Sequence, residues 1–92
     1  MKHIKLFAML RDIAGTKELI VPFTPGQTVR QLTQDIAAAC PALGEKMLTP
    51  DGELSGLVHV LVHGRNVQWL QGLETPIREE DQITLIPPSA GG

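Results

Sequence analysis

Only one stretch of this 92-residue chain carries the periodicity of a substantial helix, and it lies between segments that alternate like strands. In "TPGQTVRQLTQDIAAAC", Val29, Leu32, Ile36 and Ala39 fall on one face at helical spacing. Thr28 is placed to cap the helix, and Gln31, three residues on, completes a capping-box pattern. Cys40 lies close to the apolar stripe. Pro41 ends the helix, because the residue before a proline disfavours α conformation. One helix can cover one face of a sheet, so the other face is left to water or to a partner.

The flanking segments supply the sheet. In "KHIKLFAML", Ile4, Leu6, Ala8 and Leu10 point one way, and His3, Lys5, Phe7 and Met9 the other. The even set is the expected core, since the opposite face carries the charges. "RDIAGT", Arg11 to Thr16, reads as a turn with Gly15 available for positive φ. "KELIVPF" follows as a second strand, which gives an antiparallel hairpin.

After the helix, "ALGEKMLTPDGELSG" is polar and glycine-rich, and is expected as a loop with at most one helical turn. In "GLVHVLVHGRNVQWL", Val58, Val60 and Val62 share one face, and Leu57, His59, Leu61 and His63 the other. Gly64 sits in a turn, and Val67 to Leu70 reads as a short edge strand. The "REED" run, Arg78 to Asp81, reads as a solvated turn. Ile83 to Ile86 is the final strand, with Ile83 and Leu85 on one side and Thr84 and Ile86 on the other. The resulting α+β order is strand, strand, helix, strand, short strand, strand. It implies one domain over residues 1–86 and a projecting tail over residues 87–92.

Composition removes several classes of function. A 42% apolar, 20% charged chain is ordinary for a soluble globular domain. It has no apolar run of 18 residues and no apolar N-terminal signal segment, so a transmembrane span is not expected. A single cysteine, Cys40, cannot form an internal disulfide, which suits a cytoplasmic protein. A net charge of −2 argues against nucleic acid as a partner. The three histidines show no metal-ligand spacing. There is no G-x-x-x-x-G-K-[ST] loop and no nucleophile–base pair, so no bound cofactor and no independent catalysis are expected.

The ending, "IPPSAGG", needs a separate explanation. Pro87 and Pro88 lack an amide hydrogen and cannot extend a β ladder, and they favour polyproline geometry. Residues 87–92 can then reach about 20 Å from the sheet, at roughly 3.3 Å each. Gly91 and Gly92 carry no β-carbon, so this arm can thread a channel too narrow for a side chain. A terminal carboxylate is a poor electrophile until it is activated. An adenylyl group transferred from ATP by a partner would make it an acyl-adenylate, open to attack by a sulfur donor or an amine.

The "KLFAMLRDIAG" opening, the "TVRQL" helix start and the "IPPSAGG" ending together resemble the small sulfur-carrier subunit of molybdopterin synthase, within the ubiquitin-like β-grasp sulfur carriers. The resemblance covers essentially the whole chain. It implies a β-grasp fold with the last strand central beside the first. It also implies that Gly92, next to Gly91, is adenylated by an activating enzyme and converted to a thiocarboxylate, which then inserts into a large synthase subunit. The longer middle, with its Trp69 segment, resembles a branch whose members carry sulfur for cysteine biosynthesis or tRNA thiolation, or become attached to lysines.

The remaining residues have plainer expectations. Cys40 follows an alanine run at a helix end, where the dipole disfavours a thiolate, and is expected to be structural. His59 and His63 are expected as half-exposed sheet positions and Trp69 as a packing anchor. Phe7, Met9, Leu61 and Ile86 would lie on the uncovered sheet side as an apolar docking patch, with Pro87 and Pro88 carrying the chain from it towards a partner.

Overall fold

A computed structural model describes residues 1–88. Alternation in the sequence becomes alternation of burial along each strand. β1 (Lys2–Leu6) and β2 (Glu18–Val21) form the antiparallel hairpin, with Lys5 opposite Glu18. The last strand, β5 (Ile83–Ile86), lies parallel to β1, with Ile4 beside Ile83 and Leu6 beside Leu85. On its other side β3 (His59–Val62) runs antiparallel, and the two-residue β4 (Arg65–Asn66) forms that edge. The sheet order is therefore β2-β1-β5-β3-β4, with the final strand in the centre. Ile4, Leu6, Val60, Val62, Ile83 and Leu85 are buried and pack in one cluster with Val29, Leu32 and Ile36 of the main helix.

That helix, α2 (Val29–Ala39), follows a short one, α1 (Met9–Ala14), and begins as its sequence predicts. The Thr28 side chain accepts the Gln31 N–H, and Gln31 Oε1 accepts the Thr28 N–H at 3.0 Å. Its buried stripe ends earlier than expected. Ala39 is exposed, while Thr33 is buried and donates its hydroxyl hydrogen to the Arg30 carbonyl at 2.7 Å.

Other expectations differ from the structure more widely. The first strand does not run on through Met9. Ala8 turns the chain at φ 53°, ψ −135°, and Leu10 N–H donates to the Phe7 carbonyl at 3.2 Å. Residues Met9–Ala14 then form the short helix α1, ended by Gly15 in the left-handed region at φ 74°. Leu10 still reaches the core, but from a helix, and Ala8 is exposed.

The polar middle contains a longer helix than one turn, α3 (Pro41–Met47). Pro41 occupies its first turn, where a missing N–H costs nothing, and Leu43 and Met47 bury at i, i+4 spacing. Gly44 permits close approach to α2, since a β-carbon there would stand 2.5 Å from the Ala37 β-carbon.

Val67–Trp69 is a 3-10 turn, not a strand, because Asn66 Oδ1 accepts the Gln68 N–H at 2.9 Å and curls the chain away from β3. Trp69 is 83% exposed and anchors no packing. Finally, the "REED" turn is not simply solvated. Asp81 is buried and accepts the Arg78 N–H at 2.8 Å. The Lys2 ammonium, also buried, donates to the carbonyls of Arg78, Glu79 and Asp81 at 3.1, 3.0 and 2.9 Å. It lies 4.2 Å from the centre of the Phe23 ring. Cys40 is half-buried against the core, in keeping with a structural role.

Candidate functional site

Because β1 and β5 are parallel, both finish at the same end of the sheet, and β3 starts there with His59 opposite Ile86. Phe7 follows β1 at this end and keeps the pairing going, donating its N–H to the Leu85 carbonyl at 3.2 Å. Pro87, half-buried, and Pro88, exposed, continue from β5 beside it. Gly91 and Gly92, expected to bear the chemistry, lie outside the described residues.

The period of two in a strand decides which side chains face away from the helices. On β1 these are His3 and Lys5, on β5 Thr84 and Ile86, and on β3 His59 and Leu61. Phe7 is 41% exposed, while Leu61 and Ile86 are half-buried. The structure thus brings Phe7, Ile86 and Leu61 to the open face, with Phe7 and Ile86 at the end where the chain leaves β5 through Pro87 and Leu61 opposite Thr84. Met9 is 48% exposed but belongs to α1, so the strand alternation that grouped it with Phe7 does not apply. His59 is held by Asn66, with Nδ2 and Nδ1 3.2 Å apart, and His63 is exposed at φ 53°.

Two residues of this region escaped the sequence reading. Arg11 donates from Nε to the Leu6 carbonyl at 2.8 Å and holds its guanidinium 5.2 Å from the Phe7 ring centre. That is within the range of a cation–π contact. Phe7 and Arg11 are four apart, a spacing that would have suggested contact had the segment been read as helical. Ile20, opposite His3, is 52% exposed and adds apolar surface at the β2 edge. Among the described residues, no group of three His, Cys, Asp or Glu side chains could hold a metal ion. No helix there is long and apolar enough to cross a membrane.

A mixed five-stranded sheet with its last strand central, packed on one face by a main helix, defines a ubiquitin-like β-grasp protein. The chain belongs to the ThiS family, whose model matches residues 4–92. It is 42% identical over 65 residues to a putative sulfur carrier protein of Archaeoglobus fulgidus, covering 71% of this chain and 74% of that one. It is 30% identical over 90 residues to small archaeal modifier protein 3 of Haloferax volcanii, covering 98% and 97% of the two chains. The crystal structure of SAMP1 from Haloferax volcanii superposes with a TM-score of 0.82 at 31% identity, over 99% of this chain and 98% of that one. The chain thus belongs to a family among whose members are proteins named as sulfur carriers and as small archaeal modifiers.

Proposed function

We propose that this chain carries sulfur on its terminal Gly92 as a thiocarboxylate and donates it to a precursor of molybdopterin. The observation that supports this best is the exit of the chain. The central strand runs into Pro87 and Pro88 at the end of the sheet where Phe7 is exposed and Ile86 half-buried. A tail launched from the middle of a rigid sheet, beside an apolar face, suits docking of the domain and threading of the tail in one event. A partner enzyme would adenylate the Gly92 carboxylate with loss of pyrophosphate from ATP. Hydrosulfide-level sulfur from a donor would then attack the acyl carbon, forming the C–S bond as the bond to AMP breaks and leaving the thiocarboxylate with no change of oxidation state. Phe7, Leu61 and Ile86 dock the domain, with Met9 at the rim, and Pro87 and Pro88 guide the tail.

The choice of molybdopterin rests on the sequence resemblance in the opening, the helix start and the ending. A second reading, conjugation of Gly92 to lysines, is favoured by the near full-length match to small archaeal modifier protein 3. A third acceptor, on the path to cysteine, is suggested by 30% identity over 69 residues to the sulfur carrier protein CysO of Mycobacterium tuberculosis.

One experiment tests the tail that all three readings share, and a second separates the acceptors. Gly91→Val should leave thermal stability within about 0.5 kcal/mol of the parent, as for surface positions. It should also abolish adenylation by the activating enzyme. Unimpaired adenylation of that variant contradicts the narrow-channel argument. Affinity purification should then recover a large synthase subunit for the molybdopterin reading, whereas lysine-linked ladders or a cysteine-forming enzyme would replace it with one of the others.

A further inference from the structure

The eight Lys and Arg residues of the chain are used in different ways. Lys2 is buried under three carbonyls, Arg30 pairs with Glu74, and Arg78 pairs with Glu80 and Asp81. Lys5, Arg11 and Lys17 form no ion pair among the described residues, yet they come together. With Leu6, Phe7 and Glu18 they line one cleft of about 240 Å³. Lys5 stands opposite Glu18 across the hairpin, and the Lys17 carbonyl accepts the Leu6 N–H at 3.0 Å, which places Lys17 next to the end of β1. Glu18 is engaged by His3 Nδ1, and Asp12 is the other carboxylate near this end. At the opposite end of β1 and β5 lie Glu79, Glu80 and Asp81, roughly 13 Å away at about 3.3 Å per residue. Lys46 and Arg65 also form no ion pair among the described residues but lie elsewhere, so that Lys5, Arg11 and Lys17 are the cations gathered beside Phe7, at the end where the chain leaves β5.

We infer that Lys5, Arg11 and Lys17 form a cationic collar around Phe7 that recognises an acidic protein surface at the mouth of the partner's tail channel. The inference rests on the carrier reading above and adds the chemistry of the partner. Phe7 supplies apolar contact, while the collar steers this end of the sheet towards the partner, and not the opposite end, where Glu79, Glu80 and Asp81 are offset by Lys2 and Arg78. Complementary charge acts chiefly on encounter rate and orientation, and it weakens as salt is added. Arg11 has a second task, since its bond to the Leu6 carbonyl and its contact with the Phe7 ring hold that ring in place.

The test uses the full chain with hexaglutamate as the probe, followed by amide NMR. Shifts should be confined to residues 5–11 and 17–18. They should disappear between 0.1 M and 1 M salt, over which the Debye length falls from about 10 Å to about 3 Å. They should also be lost in the double variant Lys5→Gln with Lys17→Glu, which leaves Arg11 to hold the loop. In ATP–pyrophosphate exchange with an adenylating enzyme, the same variant should raise the KM for the carrier about tenfold and leave kcat within about twofold. Shifts centred on other cations such as Lys46 or Arg65, or a KM unchanged by the double variant, overturn the collar. Because hexaglutamate binding needs no tail chemistry, it stands or falls separately from the thiocarboxylate.

Discussion

The two faces of the central sheet are made by the same strands, residue by residue in turn, and they differ in what they are packed against. On one face Ile4, Leu6, Val60 and Leu85 are almost wholly buried with Leu32 and Ile36. On the other, Lys5, Thr84, His59 and Leu61 remain at least partly open, and Phe7 and Ile86 sit at the end where the chain leaves β5 through Pro87. The comparison shows how a domain of this size divides its labour. Stability comes from the covered set, and the open set stays accessible, because no helix among the described residues is placed to cover it.

The sharpest way to break this division is to cut one residue from each face. Leu85→Ala should cost about 2–5 kcal/mol in chemical denaturation, the range for truncating a buried leucine. Phe7→Ala should cost the isolated protein far less than the roughly 3–5 kcal/mol of a core phenylalanine. It should nevertheless weaken binding to the activating enzyme or large subunit at least about tenfold, equivalent to about 1.4 kcal/mol, by calorimetry. A core-sized stability loss for Phe7→Ala would mean that the open face is structural after all.

Next in size is the contact behind the covered face. Gly44→Ala forces a β-carbon to within 2.5 Å of Ala37, which the α2–α3 packing must open to admit. A loss of about 1–3 kcal/mol is expected, as for other overpacked sites, with partner binding unchanged. Wild-type stability would show that α3 is free to shift.

The smallest effect is at the turn that presents Phe7. Ala8 at φ 53°, ψ −135° occupies a region that glycine enters at little cost and alanine does not. Ala8→Gly should therefore raise stability by about 1 kcal/mol, the relieved strain exceeding the added freedom of the unfolded chain. A fall in the denaturation midpoint would show that this turn is unstrained.

How much of this was readable beforehand depended on whether the deciding signal was local. The Thr28–Gln31 cap, the buried stripe of α2 and the alternation of β3 and β5 are set by residues a few positions apart, and the sequence exposes them directly. The central place of β5 was legible only through family resemblance, since strand order depends on partners far apart in the chain. Met9–Ala14 was misread because alternation continues through Leu10, and nothing in the residue type marks Ala8 as a turn. α3 was masked by Pro41 and Gly44, both helix breakers in general, one harmless at a first turn and the other needed for close packing. Trp69 was assigned to packing by size alone, but the 3-10 turn from Val67 carries it outward. In the candidate site, alternation placed Phe7, Leu61 and Ile86 on the open face. Arg11 could not be placed until α1 was seen.

The carrier function itself is tested most directly by intact-mass spectrometry of the full chain after coexpression with an activating enzyme and a sulfur source. A gain equal to the replacement of one oxygen by sulfur is expected, located by fragmentation at Gly92 and absent when that glycine is deleted. An unchanged mass, with no ATP consumed by the partner, would contradict it.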